Sequence, residues 1–243
     1  MHLPDIIRYV LWAGILATAN ANRRYYRMTT TWLPHLLSNS FTLLLPDLYG
    51  IVAARDRQRT GDASWPAGQA RPASAEWEGA LRDMLAAMVR DNPRYAIYVA
   101  PLAVGYLLSH PRFNIYKGDL AEMRLAGFGL DALPHGATAF ALTALVADTA
   151  HEMARKLSPG GALADALRWG DRHQALLSAA ALALATIGWE LGEYMMYQSE
   201  MAQRGDPAKI NMQWSPRDML YDCAANVVGW GLAVGWRSRF RSA

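Results

Sequence analysis

An all-α, polytopic membrane bundle of about six transmembrane helices with an added interfacial amphipathic helix is the fold class this sequence predicts, on three observations. Hydrophobic residues make up 52% of the 243 and charged residues 19%, which is apolar for a soluble chain. Those apolar residues gather into six runs, at residues 3–20, 30–53, 94–109, 127–150, 174–197 and 218–236, joined by arginine-rich connectors that hold the mean hydropathy at −0.02. Ionisable residues sit inside the later runs, where a charge persists mostly by pairing, lining a wet cavity or doing chemistry.

A full span takes roughly 20 predominantly apolar residues. The fifth run, Ala175 through Trp189 to Tyr197, comes closest to that length, while the third has a short clean core from Ala96 to Ser109. Arg8 interrupts the first run, and Pro34, His35, Asn39, Pro46 and Asp47 interrupt the second. Each of these two either lies in the interface or is buried among the other helices, so the count is six, or five. His2 and Asp5 precede the first run without a basic stretch or a small-residue cleavage site, so it reads as a retained anchor. Residues 55–93 form a polar connector followed by an amphipathic helix. Arg55, Arg57, Arg59, Gly61, Pro66, Gly68 and Pro72 suit irregular chain, then Trp77, Leu81, Met84, Leu85, Met88 and Val89 recur at helical spacing. That helix is expected on the membrane surface or against the bundle. Ser-Pro-Gly-Gly at 158–161 ends the fourth run and turns into a short polar helix. The whole chain, 1–243, reads as one integral membrane domain.

The net charge of +3 is scattered over every connector, which argues against nucleic acid as a partner and leaves membrane lipids and membrane proteins. The lone Cys223 excludes an intramolecular disulfide and a cysteine-based zinc site. With six spans, one set of alternate connectors carries twelve lysines and arginines and the other nine. This bias favours both termini in the cytoplasm of an inner, plasma-membrane, multi-pass protein. Trp32 and Trp214 would then mark one interface, and Trp169 and Trp236 the other.

Asp131 and His135 are four residues apart, Glu190 and Glu193 three, and Asp218, Asp222 and Asn226 repeat every four, so each set shares a helical face. At about 1.5 Å per residue, Asp131, Glu193 and Asp222 fall within about 6 Å of one surface and His135, Glu190 and Asn226 roughly 10 Å deep. His35 enters the second run from the same side, with Asn39 below it. Asp148, His151 and Glu152 end the fourth run at the opposite face and read as a solvated helix terminus. The cluster could hold a divalent cation through His35, His135, Glu190 and Glu193. No H-E-x-x-H pair supports that metal. Without one, carboxylates close together share protons and serve as general acid and base, with Asp131, His135, Glu190, Glu193 and Asp222 as candidate catalytic groups. An internal polar network that fixes helix packing is the structural alternative. Gly127, Gly129, Gly136, Gly188, Gly192, Gly229, Gly231 and Gly235 permit close helix contact.

Read together, D-A-L-P-H at 131–135, E-L-G-E at 190–193 and R-D-M-L-Y-D-C-A-A-N-V-V-G at 217–229 resemble the pattern of VanZ-like membrane proteins, and of the related YjdF-like ones, over residues 127–235. Asp131, His135, Glu190, Arg217, Asp222, Asn226 and Gly229 match. Ala132 stands where the VanZ-like pattern usually has Lys, and Glu193 where it commonly has Gln, which favours the YjdF-like side. The resemblance implies a polytopic helical membrane protein, in one branch linked to glycopeptide-antibiotic tolerance, and supplies no reaction. The expectation is a protein acting on a lipid or lipid-linked envelope molecule, with Arg217 and Asn226 binding substrate and Arg217 gripping an anionic head group bidentately. A non-catalytic accessory subunit and a proton- or ion-coupled transporter are the alternatives.

Overall fold

The structure, a computed structural model, describes residues 2–27, 32–60, 82–125, 127–156, 162–206, 210 and 214–241. In chain order the described elements are α1 (Leu3–Tyr25), α2 (Trp32–Thr60), a π-helical turn (Ala86–Arg90), α3 (Tyr95–Leu107), α4 (Asp119–Glu122), β1 (Arg124–Leu125), β2 (Phe128–Gly129), α5 (Ala132–Lys156), α6 (Ala162–Arg172), α7 (Gln174–Arg204) and α8 (Pro216–Arg241). The class is all-α, relieved among the described residues by one short antiparallel strand pair, Arg124 with Gly129 and Leu125 with Phe128. Two described helices, Trp32–Arg55 of α2 and Gln174–Arg204, are long and apolar enough to cross a membrane, and α3 is a shorter apolar helix.

The polar residues of the first two runs answer one another. Arg8, buried on α1, donates to Asp47 Oδ2 of α2 at 2.7 Å and to Asp5 Oδ1 at 2.9 Å, and Tyr9 Oη donates to Asp47 Oδ1 at 2.7 Å. The two helices are therefore packed on each other through these polar groups. Pro46 lies inside α2 and has no N–H for the carbonyl of Thr42, four residues back. Tyr95 Oη of α3 donates to that carbonyl at 2.7 Å, and Arg8 donates to the neighbouring Leu43 carbonyl at 2.7 Å. A proline that would otherwise orphan a buried acceptor is thus accommodated by two side chains from other helices.

Short α3 is the central element. It buries Tyr95, Ala96, Tyr98, Val99, Ala103 and Gly105. Around it, Ile15, Leu43, Val89, Ala141, Ala144 and Leu145 complete the apolar core. Val89 belongs to the π-helical turn, which packs on α2 and α5. The apolar residues at this end of the expected amphipathic helix therefore face the bundle. Arg55, Arg57 and Arg59, expected in irregular chain, instead lie in the last turns of α2, which runs to Thr60; Trp77, Leu81 and the connector from Gly61 to Pro72 lie outside the described residues, as does the Ser-Pro-Gly-Gly turn.

Helices α5 and α8 make the most extensive pairing in the fold, and glycine is the reason. A Cβ on Gly229 would sit 2.1 Å from the Gly136 carbonyl oxygen, and one on Gly136 3.3 Å from the Ala225 carbonyl oxygen. At Gly229 only hydrogen lets the backbones touch, while a Cβ at Gly136 would be a tight contact. Gly188, Gly192, Gly231 and Gly235, by contrast, meet nothing within 4 Å.

Two expectations about the fourth run change. The helix starts at Ala132, five residues after residue 127, because Gly127 turns with φ +89° and strand β2 takes Phe128 and Gly129. Asp131 is consequently a helix-start residue whose carboxylate accepts from Ala132 N at 3.0 Å, a position that favours acids. At the far end Asp148 is not solvated: its side chain is 20% exposed and binds Tyr98 Oη, Arg237 and Arg94, tying α3, α5 and α8 together. His151 pairs with Asp171 of α6 at 3.2 Å, and Glu152 with Arg155 at 3.5 Å.

The long helix α7 has its polarity reversed. It buries Gln174, Ser178, Glu190 and Glu200 and exposes Leu184, Ile187, Leu191 and Met195. Apolar residues on α1, α2 and α8, among them Val10, Phe41, Val52, Val227 and Leu232, are likewise exposed.

Candidate functional site

A cavity of about 550 Å³ opens between the α1–α2–α3 side of the bundle and α5, α7 and α8. Its volume is that of a small-molecule site. His35, Asp131, His135, Glu190, Glu193, Asp222 and Asn226 all line it, with the exposed Asp218 at its rim. Their shared helical phase and similar depth put them there, and the Gly136–Gly229 contact closes the remaining gap.

That contact sets His135, one residue before Gly136, against α8. His135 Nε2 lies 3.5 Å from Asp222 Oδ1, with the imidazole 19% and the carboxylate 6% exposed. One turn further along α8, Asn226 Nδ2 donates to Thr186 Oγ1 of α7 at 3.1 Å. On α7, Trp189 Nε1 donates to Glu193 Oε1 at 2.9 Å, which holds that carboxylate toward the cavity wall. The same indole packs on the His35 ring at 5.8 Å between centroids, and Tyr106 stacks on it at 5.7 Å with 24° between planes. His35 is in this way clamped between α3 and α7. Helix starts account for two of the acids. Besides Asp131, Asp218 stands in the first turn of α8, where Ser215 Oγ accepts from its backbone N–H at 3.1 Å. His135, Glu190, Glu193 and Asp222 have no such local explanation.

Two expectations about ligands do not carry over. Arg217 is exposed, donates to Tyr221 Oη at 3.2 Å and does not itself line the cavity, although Tyr221 does. Among the described residues no three of His, Cys, Asp or Glu are gathered closely enough to hold a metal ion. His35 is stacked between rings, Glu193 is turned to Trp189 and His135 to Asp222, so His35, His135, Glu190 and Glu193 do not converge on one point.

The cavity also holds cations that sequence reasoning missed. Lys117 and Arg124, from the connector between α3 and α5, line it. Lys117 Nζ donates to the Ile210 carbonyl at 3.3 Å and lies 4.9 Å from the Tyr26 ring centre. Burial pushes its ammonium down to about 8, against the pull of Glu200. Next to it, burial raises the Tyr116 hydroxyl, and the carboxylates of Asp131, Glu193 and Asp222 add to the rise. The one sequence hint was that Lys117 is among only three lysines in a chain whose connectors otherwise use arginine. A lysine's partners here come from residues 26, 200 and 210, a separation that no local pattern encodes.

Chemically, the site combines a histidine–aspartate pair, two glutamates on one helix, aromatic walls and an apolar lower lining that includes Leu102, Leu142 and Leu182. No protein-family model, curated protein or solved structure matches the chain.

Proposed function

We propose that this is a multi-pass inner-membrane protein whose acidic–histidine cavity acts on a lipid or a lipid-linked envelope molecule, as the VanZ-like and YjdF-like resemblance also suggests. The observation that carries the reading is the reversed polarity of α7: Glu190 is buried and Leu184, Ile187, Leu191 and Met195 face outward. In water that arrangement would waste apolar area and bury charge, whereas in lipid it puts each group in its preferred medium. Six runs spanning the membrane fit the same logic, and the lysine and arginine count of the connectors favours both termini in the cytoplasm. The cavity then lies within reach of one leaflet, its polar wall toward the connector face and its apolar residues below, so a head group and the start of its chain both find a matching surface.

Within the cavity His135 and Glu190 act as acid and base, with Asp222 orienting the His135 ring and Asp131 and Glu193 setting the field around them. A buried imidazole beside a carboxylate can take a proton from a hydroxyl nucleophile and return it to a leaving group. Reconstitution of the purified protein in nanodiscs of inner-membrane lipid extract, followed by lipid mass spectrometry, tests this. A lipid species should be consumed by the wild type and left unchanged by a stably inserted Glu190→Gln variant. Identical lipid profiles for wild type, Glu190→Gln and empty discs would remove the proposal.

The second reading, an accessory subunit with the cluster purely structural, draws on Gly188, Gly192, Gly231 and Gly235, which meet nothing within 4 Å on α7 and α8. Solitary purification from mild detergent would eliminate it. Transport across the bundle has less support, since Asp148 at the far end is already held by Tyr98, Arg94 and Arg237.

A further inference from the structure

Glu190 is a buried acid that the rest of the fold leaves unanswered. It is 8% exposed, and it lines the cavity. Among the described residues no hydrogen bond or ion pair reaches its carboxylate. The Trp214 indole beside it falls short of donating, since its Nε1 is buried without a partner. The polar side-chain atoms sealed in the described fold without a partner belong to Asn22, Asn39, Thr143, Trp214 and Arg237, and the Glu190 oxygens are not among them. They are open to the cavity instead. Asp222 on α8, 4% exposed, lines the same space and meets His135 through Oδ1 alone, at 3.5 Å.

The charge of the lining points the same way. Asp131, Glu190, Glu193, Asp218 and Asp222 are five carboxylates set against two fixed cations, Lys117 and Arg124, so the lining is formally −3 with its histidines neutral. Both cations are engaged elsewhere. Arg124 Nη1 donates to the Ala121 and Met123 carbonyls at 2.7 and 3.2 Å and stands beside Asp131, because a Cβ on Gly129 would meet both Asp131 Oδ1, at 2.2 Å, and Arg124 Nη1, at 3.4 Å. Lys117 donates to the Ile210 carbonyl, lies against the Tyr26 ring and is drawn to Glu200. An anion held by these two would leave Glu190 unanswered. A metal ion would not find three ligands at one point among the described residues. An ammonium brings positive charge and three N–H donors on one atom. The rings of Trp32, Tyr106 and Trp189 also line the space, and aromatic faces attract such a cation.

We infer that the cavity binds the primary ammonium group of an organic amine, an aminated lipid head group, through the carboxylates of Glu190 and Asp222, with its carbon chain against Leu102, Leu142 and Leu182. The same Glu190 can take a proton from the ammonium and free the nitrogen lone pair, which keeps it in the base role given above. This rests on the lipid reading only for the chain that carries the amine.

The test is a titration of the purified full-length protein, in a neutral detergent at neutral pH, with hexylamine, hexanol, hexyl phosphate and methylamine, followed by tryptophan fluorescence. Hexylamine should bind at least about tenfold more tightly than hexanol or hexyl phosphate. Glu190→Gln, which keeps the shape and removes the charge, should bring hexylamine down toward hexanol while leaving hexanol unchanged, which also shows that the variant is folded. Asp222→Asn should act in the same direction. Should a variant fail to insert, the ranking of probes on the wild type decides the matter. Hexylamine binding that Glu190→Gln does not weaken overturns the inference. Hexanol equal to hexylamine, or hexyl phosphate tighter than it, overturns it too and leaves the lipid reading standing. Methylamine binding as tightly as hexylamine supports the ammonium site and removes the lipid reading. Failure of all four probes removes both.

Discussion

Replacing Gly229 with alanine tests the contact on which the site depends. A Cβ there would lie 2.1 Å from the Gly136 carbonyl oxygen, 2.9 Å from the Gly136 carbonyl carbon and 3.1 Å from Ala139 Cβ. Since carbon and carbonyl oxygen normally approach no closer than about 3.3 Å, α8 would have to retreat from α5 by roughly 1 Å. The oxygen is backbone in a helix and cannot swing aside. Overpacking of this kind costs about 1–3 kcal/mol, partly offset by the helix preference of alanine over glycine, roughly 1 kcal/mol. The net loss is then up to about 2 kcal/mol, a melting temperature lower by up to about 8 °C for a chain of this size. Gly231→Ala, two residues along the same helix, meets nothing within 4 Å and serves as the control, expected to match or exceed the wild type. The assay is intrinsic-fluorescence unfolding of the three proteins in one detergent. Because His135 adjoins Gly136, the retreat should also widen the 3.5 Å separation of His135 and Asp222 and weaken ligand binding in proportion. A Gly229→Ala protein as stable as Gly231→Ala would refute the close-contact account of how the cluster is assembled.

The Pro46 carbonyl arrangement makes a second forecast. Tyr95→Phe removes the donor to the Thr42 carbonyl and should destabilise by about 1–3 kcal/mol; in a Pro46→Ala background, where the helix regains its own N–H, the same change should cost far less. Equal losses in both backgrounds, in a thermal double-mutant cycle, would contradict the role given to Tyr95. Lys117 supplies the pH dependence. Its folded value of about 8 lies below the ordinary 10.5, so the fold disfavours the charged form, and that cost is fully present below about pH 8. Between about 8 and 10.5 the unfolded chain holds the proton that the folded one has lost, so wild-type stability gains as pH rises through this window. Lys117→Met should accordingly melt higher than wild type at pH 7, by no more than about 3 kcal/mol given the partial exposure of the ammonium, with the gap closing by pH 10. A gap that does not change with pH would mean the ammonium is not held in a disfavoured state.

Much of the site was legible because helical spacing is a local property. His135, Glu190, Glu193, Asp222 and Asn226 fell on defined faces at matching depths, and the structure lines one cavity with them. His35 and Asn39 joined for the same reason, one and two turns into α2. Arg217 does not line that cavity: a residue next to Asp218 in sequence stands about 100° round the helix from it, so adjacency in the motif said nothing about sharing its face. Asp131 was placed inside a helix that in fact begins after it, since strand β2 and the positive φ of Gly127 use up the residues before Ala132. The reading of Asp148 as solvated failed because its partners, Tyr98, Arg94 and Arg237, lie 50, 54 and 89 residues away.

By itself the sequence determined the all-helical class and the helical phases of the polar residues, because periodicity is fixed within each run. Tertiary structure alone decided which of the many glycines carry a helix contact, that Arg8 answers Asp47, that Lys117 and Arg124 enter the cavity, and that the buried Glu190 is left without a hydrogen-bond partner among the described residues. Those outcomes depend on which atoms from distant segments arrive at the same point, and pairing across space leaves no period in the chain from which it could be read.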